Sequence, residues 1–190
     1  MDEWVNERMK KIGIIVFLFL GLTACKQTVI QPKQVFPTEY TLAWEERYGR
    51  CYDSIPYAVT ALDLYAEGLA LDSTHRMQGT GYNLYLSDIF LPEGTDSLVA
   101  GTYHSDTTAQ PFTFLPGRDY EGTPNGIYLL SIDNGKLQSI QLFHSGTMVV
   151  QEAANGMKDI QFTLQYTNAD HAEVSYETHF QGILSPWQKR

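Results

Sequence analysis

Cysteine, positive charge and long apolar runs are all scarce in this chain. Its 190 residues hold two cysteines, Cys25 and Cys51, and 13 Lys and Arg stand against 22 Asp and Glu, a net charge of -9. Two cysteines allow one disulfide at most, which excludes a small disulfide-stapled scaffold. An acidic chain with no basic cluster is a poor match for nucleic acid and for electrostatic docking on anionic lipid headgroups. Past residue 25 no apolar run approaches the ~18 residues a spanning helix needs. The motifs that announce chemistry are missing as well. There is no Gly-x-Ser-x-Gly elbow, no His-Glu-x-x-His, no calcium loop of spaced acids, and no phosphate-cradling loop ending in Lys and Ser or Thr.

What is present begins with a leader. Lys10 and Lys11 precede an apolar run over residues 12–22, interrupted only by Gly13 and Gly21. That run is too short to span a membrane and suits the apolar segment of a secretory signal. It ends in Leu22-Thr23-Ala24-Cys25, which resembles the lipobox of bacterial lipoproteins. The resemblance implies cleavage before Cys25 and a diacylglycerol group on its thiol. Residues 1–24 are therefore expected to be a signal peptide and Cys25 the lipid attachment site. Asp2, Glu3 and Glu7 suit a signal's basic start badly, so Met9 is the expected translation start. Two or three acyl chains, at about 0.8 kcal/mol per buried methylene, are enough to hold a protein on a membrane without any spanning segment. Removing residues 1–24 takes away Arg8, Lys10 and Lys11 together with Asp2, Glu3 and Glu7, so the net charge stays at -9. With Cys25 lipidated no internal disulfide is possible, and stability has to come from a core. Cys51, between Arg50 and Tyr52, reads as a small, partly buried apolar residue.

The polar, proline-punctuated stretch that follows, with Gln27, Gln31, Pro32, Gln34 and Pro37, reads as a flexible tether, so that residues 25–39 are lipidated cysteine and tether and 40–190 one domain. Roughly 150 residues suffice for a single core. Between Tyr40 and Tyr52 the pattern Leu42, Trp44, Glu45, Glu46, Tyr48 does not alternate cleanly and predicts a short helical turn. Beyond Pro56 the period is two. Ile160, Phe162, Leu164 and Tyr166 share one face, as do Val174, Tyr176, Thr178 and Phe180, the pattern of half-buried strands. Tyr82, Leu84 and Leu86 repeat it, and residues 59–71 predict a strand whose phase slips near Gly68. Asn134-Gly135 and Asn155-Gly156 are tight-turn pairs. Residues 91–94, Pro116-Gly117 and Pro124-Asn125-Gly126 mark further turns. The expected fold is all-β: a single antiparallel meander of about eight to ten strands, closed as a barrel, with a β-sandwich as the alternative.

Residues 79–88 (GTGYNLYLSD), Ala100-Gly101-Thr102-Tyr103, residues 145–150 (SGTMVV) and Phe180-Gln181-Gly182-Ile183-Leu184 resemble the recurring blocks of small lipoproteins from Bacteroidetes, several of which are similar to the calycin (lipocalin-like) barrel. The resemblance implies a calycin-like β-barrel and a place in the cell envelope. Because no acid follows Cys25 in Lys26-Gln27-Thr28-Val29, it also implies the periplasmic side of the outer membrane. It implies no reaction. The Gly-x-Trp signature of calycins is absent, since Trp44 follows Leu42 and Ala43.

Catalytic residues, metal ligands and cofactors are not expected. The five histidines are scattered. Asp170-His171-x-Glu173 comes nearest to a ligand set but lies at a turn, where polar residues serve solvation. Asp63 with Glu67, and Glu173 with Glu177, share strand faces, yet four residues along a strand is about 13 Å, too far for a retaining glycosidase pair. Aromatics are the remaining lead. Trp44, Tyr48, Tyr52, Tyr57, Tyr65, Tyr82 and Tyr85 crowd the first half of the domain; Tyr82 alternates with the apolar set and reads as core, leaving Trp44 and Tyr85 as the candidate ligand-facing rings. The leading functional expectation is a non-enzymatic envelope module that binds a small apolar ligand, a glycan or a cell-wall component. An accessory subunit of an outer-membrane complex is the alternative, and a hydrolase with a cryptic carboxylate site comes third. Oligomeric state, and the identity of ligand or partner, are left open.

Overall fold

A computed structural model describes residues 35–74 and 76–186. The leader, the lipid-acceptor Cys25 and most of the expected tether lie outside the described residues. The strands are β1 (Glu39–Tyr40), β2 (Leu42–Gly49), β3 (Val59–Tyr65), β4 (Leu69–Leu71), β5 (Met77–Gly79), β6 (Gly81–Phe90), β7 (Gly101–Ser105) and β8 (Thr113–Phe114). They continue with β9 (Arg118–Tyr120), β10 (Thr123–Asn125), β11 (Ile127–Asp133), β12 (Lys136–Leu142), β13 (Ser145–Glu152), β14 (Lys158–Thr167), β15 (Glu173–Gly182) and β16 (Ser185–Pro186). Among the described residues the one helical element is a 3-10 turn at Ala154–Gly156. The all-β expectation holds.

Twelve strands make one sheet, in the path β1-β15-β14-β13-β7-β8-β6-β3-β2-β16, with β11 and β12 branching from β6. The sheet curls into a half-barrel. The two strands at the ends of this path are short and pair in parallel: Glu39 and Tyr40 of β1 lie beside His179 and Phe180 of β15, and Ser185 and Pro186 of β16 beside Trp44 and Glu45 of β2. β7 and β8 are parallel too. The sheet is therefore mixed, which corrects the expectation of a purely antiparallel meander. Alternation of apolar and polar residues reports which face is buried and carries no information about which neighbour a strand takes, so parallel seams leave no mark in it.

Elsewhere the alternation does its work. β14 and β15 pair over ten residues each, Lys158 opposite Gly182 through Thr167 opposite Glu173. Ile160, Phe162, Leu164, Tyr176 and Phe180 from these strands join Leu62, Leu64, Leu84, Leu86, Tyr103, Phe114, Ile127, Leu129, Phe143 and Met148 in one buried cluster. Side chains fill the interior. Asn134 and Gly135, at φ 50° and 71°, turn β11 into β12 as the tight-turn pair predicts.

Three local expectations are corrected. Residues 42–49 form β2 rather than a helical turn; Ala43 and Glu45 point inward while Trp44 and Glu46 point outward, and a charged residue on the inner face hid the period. Glu45 is 2% exposed because all its acceptor capacity is used. Oε1 accepts from Leu98 N at 2.5 Å and Thr60 Oγ1 at 3.3 Å, and Oε2 from Arg47 Nε at 3.1 Å and Nη2 at 2.9 Å. Residues 59–71 are not one strand: the chain turns at Gly68 and returns as the β4–β5 hairpin. A Cβ at Gly68 or at Gly79, both with φ near 90°, would collide with a backbone carbonyl across that hairpin. Pro124 and Asn125 lie in β10, and the turn before them is Glu121-Gly122.

At the start of the body, Phe36 packs against Tyr82, Tyr166 and Tyr176 with ring centroids 6.0, 5.4 and 5.3 Å away. Tyr176 donates to the Pro37 carbonyl at 2.5 Å and lies 3.0 Å from the Tyr40 hydroxyl. Phe143 stacks on Tyr176 and meets Tyr166 edge-on. Residues 36–40 are thus held by an aromatic plug that includes Tyr82, the ring read as core.

Candidate functional site

β2, β3, β6, β11 and β12 lie side by side, and their register places one residue from each directly opposite the next. Trp44 faces Asp63, Asp63 faces Tyr85, Tyr85 faces Tyr128, and Tyr128 faces Leu142. Because side chains alternate across a sheet, all five stand on one face, away from the core. Four strand spacings of about 4.8 Å make the row about 19 Å long. Tyr85 and Tyr128 have ring centroids 5.3 Å apart, tilted by 33°.

The β4–β5 hairpin folds over one flank of this face. Leu69 joins Tyr65 and Ile132 in a second, smaller buried cluster, with Leu42, Trp44, Leu71, Met77 and Leu130 packed against it. Trp44 is the residue of the row that packs against this cluster. There a cleft of about 40 Å³ is lined by Trp44, Glu46, Ala61, Asp63 and Tyr85. Ala61 gives it depth: it lies opposite Glu46 and is the smallest residue of the lining. β6 carries an extra residue here, since Thr60 faces Ile89 while Leu62 faces Leu86, and Asp88 takes φ 50° to absorb it. Such a bulge re-aims the side chains around it.

Polar contacts organise the cleft. Asn83 Nδ2 donates to Asp63 Oδ1 at 2.5 Å and to the Leu64 carbonyl at 3.0 Å, and the Tyr65 hydroxyl donates to Asp63 Oδ2. Tyr48 donates to Glu46 Oε2 at 2.9 Å and its hydroxyl is 3.3 Å from that of Tyr85. Burial pushes the Asp63 carboxyl above the usual carboxylate range; the hydrogen bonds from Tyr65 and Asn83 oppose the rise, and the negative charge of Glu46 adds to it. Burial also raises the hydroxyls of Tyr48, Tyr65, Tyr85 and Tyr128, so they remain protonated donors. The result is an aromatic strip with a cleft at one end that carries the carboxyl groups of Glu46 and Asp63. The nearest base along β2, Arg47, is committed to Glu45 on the other face.

The two rings singled out from the sequence, Trp44 and Tyr85, thus line the same cleft. Glu46, Asp63, Tyr128 and Leu142 were missed as its companions. Sequence spacing pairs residues along a strand, whereas these meet across strands, and only register brings them together. Glu46, not Glu67, is the carboxylate whose negative charge reaches Asp63.

Other candidates assemble less. A wider trough of about 480 Å³ runs along β14 and β15, where Thr38, Gln161, Thr163, Glu177 and His179 offer polar groups without an exposed ring. A third cleft, about 190 Å³, lies beyond Leu142 between Asp119, Gly122, Pro124 and Ile140. Glu173 pairs with His144 at 2.7 Å and accepts from Thr167 Oγ1 at 2.8 Å, while His171 sits in the turn at φ 61°. Among the described residues no three His, Cys, Asp or Glu side chains are grouped to hold a metal. Cys51, expected to be partly buried, is exposed, because the segment after Gly49 leaves the sheet. No protein-family model, no curated protein and no solved structure matches the chain.

Proposed function

We propose that this protein is a lipid-anchored, non-enzymatic envelope module that binds a saccharide along the strip from Trp44 to Leu142. The observation that carries the reading is the row itself: three partly exposed rings, Trp44, Tyr85 and Tyr128, in a line across five strands on the outer face of the half-barrel, with the Asp63 carboxyl between the first two. Pyranose rings present apolar C–H faces and a rim of hydroxyls, which need flat rings to stack on and acceptors at their edge. A filled interior leaves the outer surface as the place for such a ligand, and about 19 Å of strip accommodates several sugar units in a line. Anchorage through Cys25, an envelope location and kinship with the small Bacteroidetes lipoproteins belong to the same proposal, supported by the leader and the Leu22-Thr23-Ala24-Cys25 motif. Closure as a calycin-type barrel is its structural part, supported by the curl of the sheet and by the pairing of β1 with β15 and of β16 with β2.

The test is isothermal titration of the full-length chain, in mild detergent, against soluble neutral, amino-substituted and acidic oligosaccharides. At least one oligosaccharide is expected to bind, and Tyr85→Ala is expected to weaken it about tenfold or more, the equivalent of 1.4 kcal/mol. Silence across the panel, or an unchanged affinity in Tyr85→Ala, overturns the proposal.

A further inference from the structure

We infer that β12 is a docking edge for a second copy of this chain, the two β12 strands pairing antiparallel across a two-fold axis at Gln141. The inference stands apart from the saccharide reading. It starts from how the three edges of the large sheet differ.

Two of those edges are blunted. β1 and β16, at the ends of the strand path, are two residues long; Pro37 precedes β1, and β16 ends in Pro186, which has no N–H to offer a neighbour. The stretches of β15 and β2 that they leave uncovered carry Glu173 and Glu177, and Glu46 and Arg47. β12 is the third edge. Among the described residues it pairs with β11 alone, along seven residues without proline. Its only charge is Lys136 at one end, although the chain carries 22 acids. An edge left long and unguarded presents a row of N–H and C=O groups that another strand matches.

The side chains of β12 suit its own copy. Past a bulge at Gln138 the strand runs regularly from Ser139 to Leu142, with Ile140 opposite Leu130 and Leu142 opposite Tyr128 on the outer face. A two-fold axis at Gln141 leaves the bulge outside the pairing and sets Ile140 of each copy opposite Leu142 of the other, with Gln141 opposite Gln141. Apolar side chains then meet on one face and amides on the other. No acid of β12 has to face another, because β12 has none.

A knob and a cleft complete the fit. The bulge brings Leu137 opposite Ile132, one outer-face step past Ile140, where it is 54% exposed. Carried across the axis, Leu137 of one copy lies one step beyond Leu142 of the other. That is where a cleft of about 190 Å³ opens between Asp119, Gly122, Pro124, Ile140 and Leu142. The exposed leucine gains an apolar-walled cleft, and Lys136 beside it approaches Asp119. Each copy gives one knob and receives one, as an isologous contact requires. The Leu142 ends of the two strips are brought together at the same time.

Native mass spectrometry of the full-length chain, released from mild detergent over a concentration series, counts the copies, and hydrogen exchange on the peptide 136–142 locates the contact. A dimer is expected, with the 136–142 amides exchanging about tenfold or more slowly than in the dilute monomer while those of β14 stay unchanged. Leu137→Asp, at an exposed position, puts a like charge beside Asp119 and is expected to weaken the dimer about tenfold or more with an unchanged circular dichroism spectrum. A monomer at every concentration, a dimer whose 136–142 amides exchange as in the monomer, or a dimer that Leu137→Asp leaves intact overturns the inference. Protection of 136–142 only in a monomer bound to a different protein assigns the edge to a foreign strand and overturns self-pairing as well.

Discussion

Two groups of aromatic side chains divide the labour in this molecule, and their difference lies in how their polar tips are used. In the plug, Phe36, Tyr82, Phe143, Tyr166 and Tyr176 pack ring against ring, and the hydroxyls of Tyr40 and Tyr176 are spent on each other and on the Pro37 carbonyl. In the strip, Trp44, Tyr48, Tyr85 and Tyr128 stand on the outer face, and the Tyr48 hydroxyl donates to Glu46 at the cleft while lying 3.3 Å from that of Tyr85. Neighbouring Glu45 and Glu46 repeat the contrast on a single strand: one turns inward and ties down Leu98 and Arg47, the other turns outward to the cleft rim. A polar group that is fully satisfied indoors is structure, and the same group held at an opening is a site.

The comparison breaks most visibly at Phe143. It is fully buried and stacks on Tyr176, so Phe143→Ala is expected to cost about 3–5 kcal/mol in guanidinium unfolding. Oligosaccharide affinity of the protein that stays folded should not change, because the strip is on the other face. A loss of affinity with stability retained would show that plug and strip are one system.

Glu45 and Glu46 give the next largest effect. Glu45→Ala leaves the Leu98 N–H without its acceptor in the interior and frees Arg47 from its ion pair, at an expected cost of about 2–3 kcal/mol. Glu46→Gln should stay within about 0.5 kcal/mol of the parent in stability, as outward-facing substitutions do, and change only ligand selection. Similar melting shifts in the two variants would contradict the assignment of one to structure and the other to the site.

Tyr176→Phe removes a hydroxyl from the plug without removing a ring. It strands the Tyr40 hydroxyl and the Pro37 carbonyl, with an expected cost of about 1–2 kcal/mol. Tyr85→Phe in the strip should cost less stability, since its hydroxyl meets that of Tyr48 at a longer 3.3 Å.

How much of this is legible from residues alone follows from what each signal encodes. Alternation located β14 and β15 and the buried set Ile160, Phe162, Leu164, Tyr176 and Phe180, because burial of one face writes a period of two into a strand. Turn chemistry located the β11–β12 hairpin, because Asn and Gly tolerate its positive φ angles. It failed at β2, where Glu45 points inward, since an inward charge is legible only once Arg47, Thr60 and Leu98 are seen around it. Trp44 and Tyr85 could be picked out as rings with polar tips. Their meeting with Asp63, Tyr128 and Leu142 could not, since cross-strand register depends on the bulge at Asp88 and on the order β2-β3-β6-β11-β12, neither of which a local pattern records.

The smallest expected effect is also the one that isolates the site's electrostatics. Burial raises the folded-state value of Asp63 above the 3.8 of an unperturbed aspartate. Between those two values the folded protein holds a proton that the unfolded chain has released. By linkage, this residue's contribution is then fully present below pH 3.8 and is lost as pH climbs through the raised value. Asp63→Asn keeps a neutral group of similar shape and removes the titration. Its stability, followed by urea unfolding from acid to neutral pH, should therefore lack one component of the parent's decline. The same component should shrink in Glu46→Gln, because Glu46 is among the causes that raise Asp63. Superimposable pH profiles for parent and Asp63→Asn would mean that Asp63 does not feel the cleft. The contrast between a satisfied plug and a charged, open strip would then rest on the rings alone.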